Sequence, residues 1–173
     1  MGNYRPKDRF FQKAKKEQFA ARSVYKLEEI DRRHQLISKG DRIVDLGASP
    51  GSWLQYVAEQ VGKKGCVVGY DIVEASVGAP NSESFVADVA DLTPERVLMD
   101  VALLNARIKD KEPPEAPLPP SFKVDGLISD MAPKLTGIRD ADQAKSVGLA
   151  RRALELAGKI VKTDGYFVAK LFQ

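Results

Sequence analysis

Four aspartates and one glycine-rich turn are the residues of this sequence best suited to bind a ligand. The turn is Asp45-Leu-Gly-Ala-Ser-Pro-Gly-Ser-Trp53, and its glycines, Gly47 and Gly51, allow the backbone to turn sharply and approach a ligand closely. One aspartate alone is equally well explained as a turn residue or a helix cap. Acids that follow four successive apolar segments instead predict a ligand site, and these are Asp45, Asp71, Asp88 and Asp130.

The chemistry of these acids favours S-adenosylmethionine as the ligand. The turn has the spacing G-x-x-x-G, which differs from the G-x-G-x-x-G of dinucleotide-binding proteins and argues against an NAD-dependent dehydrogenase. Asp71 can accept hydrogen bonds from both ribose hydroxyls of an adenosine, and Asp88 can meet the adenine amino group. Asp45 and Asp130 suit the positive sulfonium and ammonium groups, whereas so many acids would repel a pyrophosphate.

Alternating strands and helices are predicted to position these residues. We predict helices over 19–37, 52–61, 94 onward and 141–161, with Gly40 ending the first and Thr93 capping the third. We predict strands over 42–46, 66–72, 84–87, 124–129 and 166–172, with a turn at 163–165 before the last strand. The prolines of residues 109–121 predict an exposed loop. This alternation is typical of an α/β fold with a mostly parallel sheet and helices on both faces, which binds ligands at the carboxyl ends of its strands.

Composition excludes several classes of protein. One cysteine (Cys66) and one histidine (His34) exclude an intrachain disulfide and zinc sites rich in cysteine or histidine, and we predict no metal site. No apolar stretch approaches the roughly 18 residues that a membrane helix needs, and the N-terminus lacks the apolar segment of a secretory signal. We therefore expect a cytoplasmic protein without a membrane partner. The length of 173 residues suits one domain, which we place at 19–173 after a basic arm at 1–18.

Positive charge is concentrated in the first quarter of the chain. Residues 1–42 hold twelve Lys or Arg and six Asp or Glu, a net charge of +6, although the whole chain carries only +3. Such a basic segment on a nearly neutral body is typical of proteins that bind RNA or DNA. A solvated, helix-forming tail explains the same charges equally well.

Four motifs, in this order along the chain, resemble those of the FtsJ/RrmJ (RlmE-type) ribosomal RNA 2′-O-ribose methyltransferases. They are Ala21-Arg-Ser-Val-Tyr-Lys-Leu27, the glycine-rich turn, Ser129-Asp-Met-Ala-Pro133 and Val168-Ala-Lys-Leu-Phe-Gln173. The resemblance runs from Asp8 to Gln173. It implies a Rossmann-like class I methyltransferase fold, S-adenosylmethionine as cofactor, and methylation of a uridine ribose in large-subunit ribosomal RNA within the ribosomal subunit.

The resemblance also implies roles for single residues. By position, the cofactor residues of the family are matched by Gly51, Trp53, Asp71, Asp88 and Asp130. Asp45 and Gly47 are predicted to bind the cofactor from the chemistry of the turn itself. Three members of the family's Lys-Asp-Lys-Glu catalytic tetrad are matched by Lys26, Asp130 and Lys170. A ribose hydroxyl is a poor nucleophile, so a base is needed, and Lys170, as the neutral amine, is the candidate. Phosphate contacts are expected from Arg9, Lys13, Arg22, Arg32 and Arg33.

Some features depart from the family pattern and leave alternatives open. Ser52 stands where the family has glycine, and the proline-rich loop is extra. The family continues past the position of Gln173 into a helix and two strands that carry the tetrad glutamate. We expect these strands to be absent here, either because the sequence is a fragment or because the polypeptide lacks this catalytic residue. We expect the full-length form to be a monomer. The alternatives are an RNA-binding module that binds the cofactor without turnover, and a small-molecule or protein O-methyltransferase, for which the basic segment would have no use.

Overall fold

A five-stranded parallel sheet organises the chain. The computed structural model describes residues 23–76 and 78–171. The strands lie in the order β3-β2-β1-β4-β5, and every neighbouring pair is parallel, as the alternation of elements predicts. Their bounds are Arg42–Leu46 (β1), Cys66–Asp71 (β2), Ser82–Val86 (β3), Val124–Ser129 (β4) and Val161–Ala169 (β5).

Helices cover both faces of the sheet. They are α1 (Val24–His34), α2 (Ser52–Val61), α3 (Pro94–Ile108) and α4 (Arg139–Ile160), with short 3-10 turns at Gly62–Lys64 and Val89–Asp91. Because successive strand residues point to opposite faces, Ile43 packs with the buried residues of α1 and α2, whereas Val44 packs with those of α3 and α4. The sheet therefore separates two apolar cores. Among the described residues, no helix combines the length and the apolar character needed to cross a membrane.

Most predicted elements are confirmed, but the end of α1 is not. The helix ends at His34, because Gln35 adopts a left-handed conformation (φ 51°) and its N–H donates to the Asp31 carbonyl. The prediction that Gly40 ends this helix is therefore wrong. Its predicted start at residue 19 and the basic arm at 1–18 lie outside the described residues. Thr93 caps α3 as predicted, its hydroxyl accepting from the Arg96 N–H at 3.2 Å.

The start of β5 also differs from the prediction. The strand begins at Val161, directly after α4, and the predicted turn at 163–165 is an irregularity within it. Val124 pairs with Val161 but Gly126 pairs with Tyr166, so β5 holds extra residues between these two positions. Lys162 anchors this segment through an ion pair with Asp125 at 2.7 Å. Strand pairing on both sides of the irregularity therefore overrides the local turn signal.

Two glycines test how tightly the sheet and its helices are packed. A methyl group on Gly69, in the centre of β2, would lie 2.7 Å from the Ala48 side chain and 2.9 Å from that of Leu54, whereas one on Gly158 of α4 would meet nothing within 4 Å. We expect Gly69→Ala to lower the free energy of unfolding by about 1–3 kcal/mol through overpacking. Gly158→Ala should raise it by roughly 0.5–1 kcal/mol through helix propensity.

Urea unfolding followed by circular dichroism measures both changes. Equal effects of the two substitutions would contradict the packing described for β2.

Candidate functional site

A cleft of about 710 Å³ opens at the carboxyl edge of the sheet. This volume is typical of sites for small organic ligands. The first turn after β1, the ends of β2 and β4, the segment after β3 and one side of α4 form its walls. Four of the predicted ligand residues line it together, namely Gly47, Asp71, Asp88 and Asp130.

The glycine-rich turn fits between its neighbours only because it lacks side chains at two positions. Gly47 has a φ of 84°, and a Cβ there would lie 2.7 Å from the backbone nitrogen of Met131, just after β4. Gly51 has a φ of 114°, and its Cβ would collide with the carbonyl oxygen of Ser76. L side chains rarely adopt such φ values. The turn thus lies close against the backbone that follows both neighbouring strands.

Asp71 joins the first turn to the loop after β2. Its Oδ2 accepts a hydrogen bond from the Ser49 N–H, and its Oδ1 accepts one from the Val73 N–H, both at 3.0 Å. A carboxylate has about four acceptor sites, so these two bonds fix its orientation and leave acceptor sites for hydroxyl groups of a ligand.

Asp88 has two functions that the sequence could not separate. It is the N-cap of the 3-10 turn Val89–Asp91, and its Oδ1 accepts from the Ala90 N–H at 2.9 Å. It also lines the cleft, and its side chain is exposed. The cap therefore holds the carboxylate in place without enclosing it.

Asp130 and Lys170 form an ion pair at the edge of the cleft. Asp130 follows β4 and Lys170 follows β5, and the Nζ of Lys170 contacts both Oδ1 and, at 3.4 Å, the carbonyl oxygen of Asp130. The side chains are 15% and 28% exposed, respectively. The backbone N–H of Lys170 donates to the Ser129 carbonyl at 2.9 Å, which continues the β4–β5 ladder to the pair itself. The structure thus brings together two of the three predicted catalytic residues.

Lys26 lies on the exposed side of α1, near the same edge of the sheet. The start of α1 is attached to the start of α2, because the hydroxyls of Ser23 and Ser52 lie 3.1 Å apart and the indole N–H of Trp53 donates to the Ser23 carbonyl at 3.1 Å. Lys26 follows within one helical turn. The structure therefore places Lys26 in the first turn of α1, with its side chain exposed.

Three of the predicted cofactor residues lie behind the cleft rather than on its surface. Gly51 is the N-cap of α2, and Trp53 is buried in the apolar core that α1 and α2 form on one face of the sheet. Asp45 is fully buried, and neither of its carboxylate oxygens has a hydrogen-bond partner among the described residues. Burial, and then the charges of Asp130 and Asp71, raise the pKa of Asp45 well above its usual range. A direct ligand role for these three residues stays a prediction.

Some residues of the cleft were missed by the sequence reasoning. Ile72 and Val73, directly after Asp71, line the cleft although 70% and 58% exposed, respectively. Exposed apolar side chains at a concave surface are typical of a site that a ligand covers. Lys145 and Leu149 of α4 form the opposite wall. The position of Ile72 directly after the strand-end residue Asp71 could have indicated that it lines the cleft. No feature of the sequence indicated that α4 would form a wall of the cleft.

The predicted RNA-binding residues are only partly described. Arg32 and Arg33 lie in the last turn of α1 and are exposed, and Arg32 pairs with Glu28 at 2.6 Å. The other three predicted phosphate ligands, Arg9, Lys13 and Arg22, lie outside the described residues. The contact of all five with RNA stays a prediction.

Comparison with known proteins identifies relatives over nearly the whole chain. The model of the FtsJ-like methyltransferase family matches residues 19–173. The chain is 44% identical to the ribosomal RNA large subunit methyltransferase E of Bdellovibrio bacteriovorus, over 98% of this chain and 78% of the relative, and 40% identical to that of Syntrophobacter fumaroxidans, over 99% and 78%. A crystal structure described as a ribosomal RNA methyltransferase from Plasmodium falciparum superposes with a TM-score of 0.71 at 22% identity, covering 90% of this chain and 79% of the other. That likeness confirms the predicted Rossmann-like fold.

The buried Asp45 should make stability depend on pH. The pKa of the Asp45 carboxyl is about 4 in the unfolded chain and higher in the folded chain. At a pH between these two values, the unfolded state has released the Asp45 proton and the folded state keeps it. The unfolded state then binds fewer protons, so the free energy of unfolding falls as pH rises, by up to about 1.4 kcal/mol per pH unit. Asp45→Asn removes this contribution, since the amide does not titrate.

Urea unfolding of the cofactor-free protein between pH 5 and 8 measures the effect. The unmodified chain should lose stability relative to Asp45→Asn as pH rises, while Asp110→Asn, at an exposed loop position, should follow the unmodified chain. Parallel pH profiles for all three proteins would show that Asp45 is ionised in the folded state.

Proposed function

The chain belongs to the FtsJ-like methyltransferase family, and we propose that it methylates the 2′-hydroxyl of a uridine ribose in large-subunit ribosomal RNA. S-adenosylmethionine is the cofactor. The observation that carries the proposal is the ion pair between Asp130, which lines the cleft, and Lys170, which directly follows the neighbouring strand β5. It places an amine beside the site, as proton removal from a sugar hydroxyl requires.

The donor groups of the cleft fit S-adenosylmethionine. When bound, the cofactor supplies a methyl group attached to a positively charged sulfur. Asp71 and Asp88 are suited to the ribose hydroxyls and the adenine amino group, and Ile72 to the face of the adenine ring. The carboxylate of Asp130 favours a cation at this edge of the sheet. Asp45, which lies beneath the turn, favours a cation as well when its carboxyl group is ionised. Asp45, fully buried and without a hydrogen-bond partner among the described residues, is the structural feature that most favours a positive group nearby.

The catalytic residues act on the acceptor hydroxyl. Lys170, once it has lost its own proton to solvent, would take the proton of the hydroxyl and pass it to solvent. The cofactor would supply the methyl group to the hydroxyl oxygen as its carbon–sulfur bond breaks, and would leave as the uncharged thioether. Asp130 would hold this amine at the edge of the cleft, through the ion pair while Lys170 is protonated and through a hydrogen bond once it is neutral. Lys26 approaches the same edge from α1 and provides a second positive charge for the substrate. Alignment of the nucleophile with the carbon–sulfur bond is the main contribution of the protein to the rate.

Charge and relatives support ribosomal RNA as the substrate. The two relatives named above are ribosomal RNA large subunit methyltransferases. The net charge of +6 over residues 1–42 suits a polyanion, and Arg33 is exposed at the end of α1. The 2′-hydroxyl distinguishes RNA from DNA. The uridine, and the assembled large subunit as the substrate, follow from the family resemblance of the motifs.

A methyl-transfer assay tests the function directly. Undermethylated large ribosomal subunits and S-adenosylmethionine with a radiolabelled methyl group are incubated with the chain, and the label is located by nuclease digestion. Label on a uridine ribose supports the proposal. Cofactor binding without transfer to RNA identifies the alternative of a binding module without turnover, and label on another acceptor identifies a different methyltransferase.

Substitution of Lys170 separates catalysis from binding. We expect Lys170→Ala to reduce the rate of transfer by about 10²–10⁴-fold, because the acceptor hydroxyl loses its base. Its affinity for S-adenosylmethionine should change little, since the cofactor contacts are kept. Single-turnover rates and calorimetric titration measure the two properties. The control is Lys64→Ala, because Lys64 is exposed and lies before the amino end of β2, away from the carboxyl edge of the sheet. A rate of Lys170→Ala close to that of the control would exclude Lys170 as the base.

Substitution of Asp71 tests the adenosine side of the cleft. We expect Asp71→Ala to weaken S-adenosylmethionine binding by about 10- to 100-fold, the effect of losing hydrogen bonds to a charged acceptor. Calorimetric titration measures the dissociation constant. Glu74→Ala, an exposed carboxylate three residues further on, should bind like the unmodified chain. Unchanged affinity of Asp71→Ala would refute the assignment of the ribose site.

A further inference from the structure

Arg152 of α4 binds the backbone of the 3-10 turn that carries Asp88. Its Nε donates to the Val89 carbonyl at 3.3 Å, and its Nη2 donates to the carbonyls of Ala90 and Leu92 at 3.4 and 2.9 Å. These three acceptors lie within four residues of one another, and the contacts span about 60 residues of sequence. A single guanidinium thus contacts the turn along most of its length, which the fixed fork of donors makes possible.

The same turn is held from its other end by Asp88. The Asp88 carboxylate accepts from the Ala90 N–H, so the turn donates to Asp88 and accepts from Arg152. A change at either end therefore alters the position of the other. Arg152 itself is oriented by Glu155, whose carboxylate lies 3.8 Å from Nη1.

The helix that carries Arg152 also forms a wall of the cleft. Lys145, Gly148 and Leu149 of α4 line it opposite the loop after β2, and Val89 of the turn lines it beside Asp88. After β3, the cleft is lined by Ala87 and Asp88, directly before the turn, and by Val89, its first residue. Arg152 therefore fixes the turn against α4 and, with it, the distance between two walls.

We propose that Arg152 is a positioning residue for the adenine side of the cofactor cleft, acting through the turn Val89–Asp91 on Asp88. The inference rests on the proposed function, because it takes S-adenosylmethionine as the ligand. Arg152 does not line the cleft, so its effect on binding is transmitted by the backbone it holds.

Three substitutions measure the effect. Arg152→Ala should weaken the binding of S-adenosylmethionine by roughly 3- to 30-fold, the range of coupling through a shared network. Arg152→Lys should be intermediate, because an ammonium cannot reach all three carbonyls as the fork does. Arg151→Ala is the control, since Arg151 is the adjacent exposed arginine of α4. Calorimetry gives the dissociation constants, and thermal unfolding shows whether each variant is folded at the temperature used.

A double-mutant cycle distinguishes positioning from a general loss of stability. If Arg152 acts through Asp88, Arg152→Ala should weaken binding much less in an Asp88→Ala background than in the unmodified chain. Additive effects of the two substitutions, or equal affinities of Arg152→Ala and Arg151→Ala, would overturn the inference. Absence of binding to the unmodified chain would instead refute the proposed function, so the two failures are distinct.

Discussion

Parallel pairing of β1 with β2 on one side and β4 on the other is the constraint on which the site depends. It brings the carboxyl ends of the three strands side by side at about 4.8 Å spacing, and each of these strands carries an aspartate at or after its end. Three acids are thereby concentrated in a small, partly buried volume, where like charges repel each other strongly. The site is possible only because each acid is stabilised in a different way.

The contacts of each carboxylate show how its negative charge is stabilised or avoided. Asp130 is balanced by the ammonium of Lys170, and Asp71 by two backbone N–H groups. Among the described residues, Asp45 has neither kind of partner, and its raised pKa favours the neutral acid. A cation that enters the cleft changes this balance, because it lowers the energy of a third negative charge. The arrangement thus favours a positively charged ligand over a phosphate, a preference that originates in the order of the strands.

The sequence predicted those parts of the site that follow from strand ends. Asp71 and Asp130 were placed correctly, because alternation of elements and the direction of parallel strands suffice for this. The residues Thr163-Asp-Gly165 predicted a turn before β5, although the strand begins earlier, at Val161. A local turn propensity cannot show that residues on both sides of the turn pair with β4. The isolation of Asp45 was also not predictable. Asp45 points to the same face of β1 as Ile43, and α1 and α2 pack over that face. Its isolation therefore depends on tertiary packing.

The wall formed by α4 needs more than the sheet to hold it. Strand ends are fixed by their ladders, whereas α4 is held by its buried residues against the sheet and, in addition, by polar contacts with neighbouring loops. Near its first turn, Asp142 accepts hydrogen bonds from the Thr136 N–H at 2.8 Å and from the Gly137 N–H at 3.1 Å. These bonds, together with the one from the Thr136 hydroxyl, hold the pKa of Asp142 below its usual value. Their contribution to stability is therefore fully present above the usual pKa of a carboxyl group and is lost as pH falls through the lowered pKa. Three turns later, Arg152 holds the turn next to Asp88. The loop that follows Asp130 and the turn that follows Asp88 are therefore both attached to one helix, which makes α4 the element that relates the catalytic side of the cleft to its adenine side.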